Sequence, residues 1–405
     1  MAPDNVPQFR PVGELQSDSA MRDIVAELAD MERQGLRRRR LVLDSAQGVR
    51  VRVAGCDYLS FCSNDYLGLA ADPRIAAAAA DSMRSAGLGA GASHLVSGHH
   101  RMHEDLERAL ATYVGMPRAL LFSSGYLANL AVVTVLAGRS SEVFADRLNH
   151  ASLNDAMILS RARCKRYAHC DSGALESQLA RSAAANKIVI TDAVFSMDGD
   201  VAPLSEIARL CERYQAWLVV DDAHGFGVLG EHGSGTLAHF GLDYPRIAYV
   251  GTLGKAAGVS GAFVAGHEQL VELLIQRARA YIYTTASPPP LAAALIKSIE
   301  IMQAEDWRRQ RLNALAQRIT NRLALRRWRL HASQTAIQPL IVGENSEALA
   351  LSEILAASGI LVPAIRPPTV PRGTARLRIS LSAAHTDADV DLLIETLHRA
   401  ESSLS

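Results

Sequence analysis

The stretch AWLVVDDAHGFG at residues 216–227 decides the fold class, together with RIAYVGTLGKAAGVSGA at residues 246–262. Each stretch begins with an apolar run of strand length and ends in polar or small residues. A helical pattern, LSEIARLCERYQ, precedes the first run, and further apolar runs occur at residues 119–123 and 187–192. Alternation of short apolar runs with helical patterns predicts an α/β fold whose mainly parallel sheet is covered by helices on both faces.

The chain divides into three parts by pattern. Residues 1–50 are predicted to be an N-terminal helical segment, and residues 51–290 a large domain in which GAFVAG, at 261–266, returns antiparallel. The run SPPP at 287–290 marks the boundary, because proline interrupts both helices and strands. Residues 291–405 are predicted to form a smaller C-terminal α+β domain with strands in AIQPLIVG, ILVPAIRPP and ARLRISLS.

Composition excludes several classes of protein. The 405 residues contain 42 Lys and Arg against 42 Asp and Glu, so we expect no general attraction to nucleic acid or to an anionic membrane. No apolar stretch is long enough for a bilayer span, and the N-terminal residues do not resemble a signal peptide. The five cysteines form no CxxC pair, which favours a reduced, cytoplasmic protein without a metal site.

Lys255 and Asp221 are the first candidates for chemistry. In an open α/β sheet, ligands bind beyond the carboxyl ends of the strands, and both residues follow apolar runs that end there. A lysine opposite a carboxylate is commonly a salt bridge, but the glycines around both residues leave room for a flat ligand. Pyridoxal 5'-phosphate (PLP) uses such a pair, in which the lysine forms a Schiff base and the carboxylate keeps the ring nitrogen protonated.

A phosphate site is predicted in LLFSSGYLANLAVV, where a strand runs through a Ser-Ser-Gly turn into a helix. This pattern places Ser124, Gly125 and Tyr126 at a helix N-terminus, where free N–H groups and the helix dipole favour an anion. Thr252 could add a hydroxyl group. The alternative is a serine-capped helix with no ligand, and the presence of Lys255 and Asp221 favours the phosphate site.

Two glycine motifs do not support a nucleotide site. GLGAGA at 87–92 follows a helix instead of a strand, which is the wrong context for the dinucleotide fingerprint. GTLGKA contains only half of a P-loop, because position 249 is Tyr and position 256 is Ala.

The chain resembles the α-oxoamine synthases, which are fold-type-I PLP enzymes that condense an amino acid with an acyl thioester and release CO2. The resemblance rests on GTLGKAAG, VVDDAHGFG, VFSMDGD, LFSSGYLAN, ADRLNHASLNDA and NDYLGLA, and it runs from about Arg37 to about Thr386. The segments YIYTTASPPP, AIQPLIVGENS and RPPTVP are most similar to the branch that joins L-alanine to a pimeloyl thioester, on CoA or an acyl carrier protein, for biotin biosynthesis. The rivals within the family use glycine with acetyl-CoA or succinyl-CoA, or serine with a long acyl chain.

The resemblance implies roles for the cofactor residues. Lys255 would form the Schiff base and remove the Cα proton, and Asp221 would pair with the pyridine nitrogen, with Asp222 pointing to the opposite side of its strand. His224 would donate to the phenolic oxygen of PLP. The resemblance also implies that His150 stacks on the pyridine ring, that Ser196 lies beside the cofactor, and that Thr284 or Thr285 reaches the phosphate of the neighbouring subunit in a homodimer.

The resemblance also implies substrate contacts. Arg378 would bind the carboxylate of the amino acid, for which a two-pronged guanidinium is suited, although an exposed arginine on an edge strand is the alternative. Arg37 and Thr369 correspond to positions near the acyl substrate, and Arg37 could equally be a solvated helix end. Family members often carry Arg or Gly at His94 and Glu at Asp192, so the roles of these two residues stay open, as does that of His99.

Two rivals lie outside this family's reaction. A PLP aminotransferase would need no acyl-thioester site and would not account for RPPTVP together with ARLR. A non-catalytic PLP-binding subunit would not need to keep Lys255, Asp221, His224 and His150 together.

Overall fold

The computed structural model describes residues 19–331 and 333–403 of the chain. The N-terminal portion of the predicted first segment, residues 1–18, therefore lies outside the described residues. No helix within the described ranges combines the length and the apolar character that a membrane crossing needs.

The strands of the described residues are β1 Arg50–Val53, β2 Cys56–Ser60, β3 Arg118–Phe122, β4 Ser141–Asp146, β5 Arg163–Tyr167, β6 Asn186–Asp192, β7 Trp217–Asp221, β8 Ile247–Thr252, β9 Ala262–Gly266, β10 Arg329–Leu330, β11 Ile337–Gly343, β12 Ile360–Leu361, β13 Ala364–Ile365 and β14 Ala375–Ser380. The helices are α1 Ser19–Arg33, α2 Pro73–Ala86, α3 Arg101–Tyr113, α4 Gly125–Leu136, α5 Ala151–Ser160, α6 Ser172–Ala180, α7 Leu204–Arg213, α8 Thr236–Phe240, α9 Glu268–Arg277, α10 Arg279–Ile282, α11 Pro289–Ala304, α12 Trp307–Arg322, α13 Asn345–Ala357 and α14 Asp387–Ser403.

The main sheet has seven strands in the order β3-β9-β8-β7-β6-β4-β5. All pair in parallel except β9, which is antiparallel to both β3 and β8. The predicted mainly parallel sheet and the antiparallel return at 261–266 are confirmed. The sequence analysis did not identify β4 or β5, because β4 carries Ser, Glu and Asp among its buried positions and only Tyr167 of the edge strand β5 is buried.

Helices cover both faces of this sheet, as predicted. Along β7, Leu218 and Val220 belong to one buried cluster and Val219 to the other. This alternation is what a strand produces when both of its faces are covered. The sheet is therefore buried on both sides, and polar side chains gather at its carboxyl edge, where the strands end.

Two smaller sheets involve the C-terminal part of the chain. One has the order β10-β11-β14-β13, and the other has the order β1-β2-β12. In the second, β12 pairs in parallel with β2, so residues from both ends of the chain share one sheet. The C-terminal strands expected from the sequence are confirmed, while the domain boundary at residue 290 stays a prediction.

The proline run at 287–290 begins a helix instead of ending regular structure. Pro289 and Pro290 occupy the first turn of α11. The first turn tolerates proline because its N–H groups have no partner within the helix in any case. Helix α11 packs against α2 and α3.

Candidate active site

A cavity of about 190 Å³ lies at the carboxyl ends of β6, β7 and β8. Eight of the predicted site residues line it: Gly125, Tyr126, His150, Ser196, Asp221, His224, Thr252 and Lys255. The cavity is also lined by five residues to which the sequence analysis had assigned no role: Asn129, Ser152, Asp192, Val194 and Ala223.

Asp221 ends β7 and points into this cavity. Its Oδ2 accepts a hydrogen bond from Asn129 Nδ2 at 2.6 Å, and its Oδ1 accepts one from the backbone N–H of Ala223 at 3.0 Å. The adjacent Asp222 accepts instead from the hydroxyl of Tyr249, at 2.8 Å, and from a backbone N–H in α8. The two neighbouring carboxylates therefore point to opposite sides of the strand, and only Asp221 faces the cavity.

Lys255 lies three residues beyond β8, with its Nζ 2.8 Å from Nε2 of His224. Burial lowers the pKa of Lys255 to about 8, against the opposing charge of Asp221. A neutral amine near physiological pH can act as a nucleophile and as a base. Burial, followed by the charge of Lys255, also lowers the pKa of His224 well below its usual range, so this imidazole is neutral.

The N-terminus of α4 forms another wall of the cavity. Ser124 caps the helix, because its side chain accepts from the N–H of Leu127 at 3.3 Å, and it does not line the cavity. A Cβ at Gly125 would lie 2.7 Å from Cγ2 of Thr252, which explains why a residue without a side chain stands here. The close approach brings the free N–H groups of the helix to the cavity beside the Thr252 hydroxyl.

His150 caps the N-terminus of α5 and lies at the opening of the cavity. Its Nδ1 is 2.7 Å from the hydroxyl of Ser152, and its backbone N–H donates to Asp192 at 3.2 Å. Asp192 is buried and pairs in register with Asp221 on the neighbouring strand. Burial and then the charge of Asp221 raise the pKa of Asp192 well above its usual range, so Asp192 retains a proton at pH values where an ordinary carboxyl group has lost it.

Arg378 lies on β14 and is 5% exposed. Its Nε donates to the carbonyl oxygen of Ser196 at 2.6 Å, and its Nη1 donates to Asn64 Oδ1 at 3.0 Å and to the Ser380 hydroxyl at 2.7 Å. The alternative interpretation, an exposed arginine on an edge strand, is wrong. β14 has β11 on one side and β13 on the other.

Arg37 and Thr369 lie outside the main cavity. Arg37 is exposed and pairs with Glu32 at 3.3 Å. Thr369 lines a separate groove with Arg38 and Arg39, which belong to the basic block RRRR at residues 37–40. The N-terminal basic block and the RPPTVP loop are therefore neighbours in the folded chain, which the sequence alone did not indicate.

Thr284 and Thr285 do not line the cavity of their own chain. Thr285 is exposed and forms an isolated bridge with Ser93. Their predicted contact with the cofactor of a second subunit stays a prediction.

The histidines for which no role was assigned form a cluster at this surface. The Nδ1 atoms of His94 and His99 are 2.8 Å apart, and the ring of His94 stacks on Tyr281. Ring nitrogens of His94, His99 and His103 come within 4.8 Å of one another, a proximity that the spacing did not indicate. His103 uses both nitrogens, since Nε2 bonds the carbonyl oxygen of Ser287 and Nδ1 accepts from the N–H of His100. His103 therefore has a structural role.

The sequence analysis missed Asn129, Ser152 and Tyr66. Asn129 is a polar residue in the otherwise apolar α4, and that contrast was the available signal. Tyr66 belongs to NDYLGLA, and its hydroxyl is 2.6 Å from Nδ1 of His224. No local pattern relates these two residues, which are 158 positions apart.

The comparisons with known sequences agree with this geometry. The model of the family described as aminotransferase class I and II matches residues 57–397. An 8-amino-7-oxononanoate synthase from Methylobacillus flagellatus is 59% identical over 376 residues, which cover 93% of this chain and 95% of the relative. A protein of the same name from Nitrosospira multiformis is 58% identical over 375 residues, covering 93% and 94%.

Solved structures show the same fold. A serine palmitoyltransferase from S. paucimobilis, with a bound PLP–myriocin aldimine, has a TM-score of 0.89 at 28% identity and covers 97% of this chain and 99% of its own. An 8-amino-7-oxononanoate synthase from Francisella tularensis has a TM-score of 0.73 at 29% identity, covering 85% and 98%. With matches of this identity over nearly the whole chain, the protein belongs to the 8-amino-7-oxononanoate synthase family, within the aminotransferases of class I and II.

Proposed function

We propose that the protein is a PLP-dependent 8-amino-7-oxononanoate synthase of biotin biosynthesis. The reaction condenses L-alanine with a pimeloyl thioester and releases CO2 and the free thiol. The observation that carries the proposal is one cavity in which Lys255, Asp221, His224 and His150 meet the N-terminus of α4. The names of relatives more than half identical over most of the chain support the same conclusion.

The cavity residues fit PLP. The approach of Gly125 to Thr252 leaves a cradle that a Cβ would fill, and the free N–H groups of α4 suit a phosphate there. The Asp221 carboxylate, held by Asn129 and by a backbone N–H, suits a protonated ring nitrogen. The lowered pKa of Lys255 suits an amine that must be neutral to bond the cofactor.

Bound PLP supplies an electron sink that stabilises negative charge at Cα of the amino acid. Lys255 would hold the cofactor, and its amine would take the proton from Cα of the amino acid. Asp221 would hold the ring nitrogen and keep it protonated, and His150, which also lines the cavity, would stack on the ring. Nε2 of His224 lies 2.8 Å from Nζ of Lys255, so both nitrogen atoms would lie near the same part of the cofactor.

Arg378 is the candidate for recognition of the amino acid. It is buried next to the turn that carries Ser196, where its charge is only weakly screened by solvent. A guanidinium in this position would bind the alanine carboxylate by paired hydrogen bonds. The groove of Arg38, Arg39 and Thr369 would receive the acyl donor or its carrier. Arg37 adjoins Arg38 in the chain and would add a further positive charge.

The active form is proposed to be a cytoplasmic homodimer with its sites at the interface. Thr284 or Thr285 of one chain would contact the cofactor phosphate in the other chain. The exposed position of Thr285 is compatible with such a contact.

The test is release of thiol from pimeloyl-CoA by the PLP-loaded protein, with L-alanine, glycine or L-serine as the amino acid. Parallel reactions contain acetyl-CoA or succinyl-CoA as donor. We expect release with L-alanine and pimeloyl-CoA, and little with the other pairs. Release only with glycine and a short acyl donor would overturn the substrate assignment while keeping the role of Lys255. No release with any pair, including pimeloyl-carrier protein, would overturn the proposed function.

A further inference from the structure

Tyr66 follows β2 and lies behind the cavity, with only 1% of its surface exposed. Its hydroxyl oxygen is 2.6 Å from Nδ1 of His224 and 3.1 Å from Oδ1 of Asn64. Arg378 Nη2 donates to the same oxygen at 3.3 Å. Since Nε2 of His224 is 2.8 Å from Lys255 Nζ, hydrogen bonds connect the arginine proposed to bind substrate with the lysine proposed to bind cofactor.

The hydrogen bonds that link Arg378, Tyr66, His224 and Lys255 can be arranged in only two ways, because few protons are available. An arginine can only donate, so the Tyr66 oxygen accepts from Arg378, and Tyr66 has one proton to give. That proton goes either to Nδ1 of His224 or to Oδ1 of Asn64. His224 is a neutral imidazole, so it carries its single proton on Nε2 in the first case and on Nδ1 in the second.

The two arrangements present different groups to the cavity. With the proton on Nε2, His224 is a donor toward the cavity, and Lys255 must be neutral to accept from it. With the proton on Nδ1, Nε2 can only accept, and it suits a protonated Lys255. The charged and titratable groups that face this series of hydrogen bonds are Lys255, Arg378, Asp221, Asp192 and His150.

We propose that Tyr66 is a positioning residue whose hydroxyl donates to Nδ1 of His224 and thereby keeps the imidazole proton on Nε2. The short distance between Tyr66 and His224 favours this direction over donation to Asn64. Donation from Arg378 to the Tyr66 oxygen polarises the O–H group and strengthens the bond that follows it. The inference rests on the proposed function, because Nε2–H would then donate to the phenolic oxygen of PLP.

The test uses the full-length, PLP-loaded protein and the pH dependence of the visible absorbance of its bound cofactor. Tyr66→Phe removes only the hydroxyl, and Tyr113→Phe is the matched control, since Tyr113 is also buried and its hydroxyl donates to the carbonyl oxygen of His232. Without the Tyr66 hydroxyl, the proton of His224 is no longer kept on Nε2. The phenolic oxygen of PLP then loses the N–H donor that stabilises its charged form. We expect the absorbance transition of Tyr66→Phe to move to higher pH by roughly one unit, a tenfold change in proton affinity. The control should keep the wild-type transition.

A second measurement remains informative even if the protein does not fold with phenylalanine at position 66. A monofluorotyrosine in place of Tyr66 has a more acidic hydroxyl, donates more strongly to His224, and should move the same transition to lower pH. An unchanged transition in both proteins, or equal shifts in Tyr66→Phe and Tyr113→Phe, would overturn the role of Tyr66 while leaving the proposed function intact. Failure of the wild-type protein to develop a visible band with PLP would overturn the proposed function and this inference with it.

Discussion

Lys255 combines burial, a lowered pKa and a position beyond the end of β8. In Lys255→Ala, the cavity keeps its other residues but loses the amine proposed to take the Cα proton. We expect thiol release to fall by at least about 10²–10⁴-fold, the usual contribution of a positioned general base. PLP should still bind through its phosphate.

Lys297→Ala is the matched control for this measurement. Lys297 is half-buried on α11, pairs there with Glu300, and does not line the cavity. It should release thiol at the wild-type rate. Turnover at that rate by Lys255→Ala would refute the assignment of the catalytic lysine.

His169 occupies a second, half-buried site of charged residues, which lies outside the cavity. Its Nδ1 bonds Asp146 at 3.0 Å and its Nε2 bonds Asp200 at 2.7 Å. Burial alone would lower the pKa of His169, but the hydrogen bonds and charges of the two carboxylates outweigh burial and raise it to about 12. A cationic His169 therefore ties the end of β4 to the turn that carries Ser196.

This raised pKa predicts a pH-dependent contribution to stability. Below the ordinary pKa of 6.5, both folded and unfolded chains hold the proton, and the contribution is present in full. Between that pH and about 12, only the folded chain holds it, so the contribution decreases as pH rises. The difference in free energy of unfolding between wild type and His169→Asn should therefore narrow with rising pH between about 6 and 9.

Denaturant unfolding at several pH values measures this difference. His239→Asn, at an exposed histidine of α8, is the control. It shows how the loss of an imidazole changes the free energy of unfolding when no described carboxylate pairs with it. A difference for His169→Asn that stays constant with pH would contradict the cationic state.

At the scale of elements, the contact between the start of α4 and the end of β8 borders the proposed phosphate site. Gly125→Ala would place a Cβ 2.7 Å from Cγ2 of Thr252. Overpacking of this kind typically costs about 1–3 kcal/mol, and displacing the helix would move its N–H groups away from the phosphate. We expect PLP affinity, measured by equilibrium dialysis, to fall by roughly tenfold or more.

A second substitution at the same contact should compensate for Gly125→Ala. Thr252→Ser removes Cγ2 but keeps the hydroxyl, so Gly125→Ala combined with Thr252→Ser should recover most of the lost affinity. Gly138→Ala, where nothing lies within 4 Å of the added Cβ, is the matched control and should bind PLP normally. Normal affinity in Gly125→Ala alone would show that this close approach does not shape the site.

At the scale of the whole molecule, one surface suits association with a second copy. Ser93 forms a bridge with Thr285; Leu95 and Val96 follow Ser93 in the chain, and Tyr283 precedes Thr285. These three apolar side chains are 51%, 79% and 71% exposed. Grouped exposure of large apolar side chains is typical of an interaction surface, and here it adjoins the threonine predicted to act across the interface.

Mixed dimers test this arrangement. Lys255→Ala and Thr285→Ala chains, unfolded together and refolded, would form hybrids. If Thr285 serves the partner's site, one site of each hybrid carries both changes and the other carries none. Activity of the mixture should then exceed the sum of the two variants measured separately. A simple sum, in protein shown by sedimentation to be dimeric, would contradict a shared site.

The sequence by itself determined the strands of the sheet's centre, the helix that ends at Gly87, the antiparallel return of β9 and the two candidates Lys255 and Asp221. These features depend on local patterns, because apolar runs, glycine stops and polar residues at strand ends act over a few neighbouring positions. The same local logic placed Asp221 and Asp222 on opposite faces of their strand, since successive side chains alternate. The resemblance to the family then favoured Asp221.

Only the tertiary structure decided which distant residues meet. Pairing of β6 with β7 places Asp192 beside Asp221, and the burial of β14 brings Arg378 against the turn of Ser196. The bond between Tyr66 and His224 and the pairing of β12 with β2 join residues far apart in the chain. Such contacts arise because burial and strand pairing select neighbours by shape and hydrogen bonding across the fold, and no local spacing in the chain records that choice.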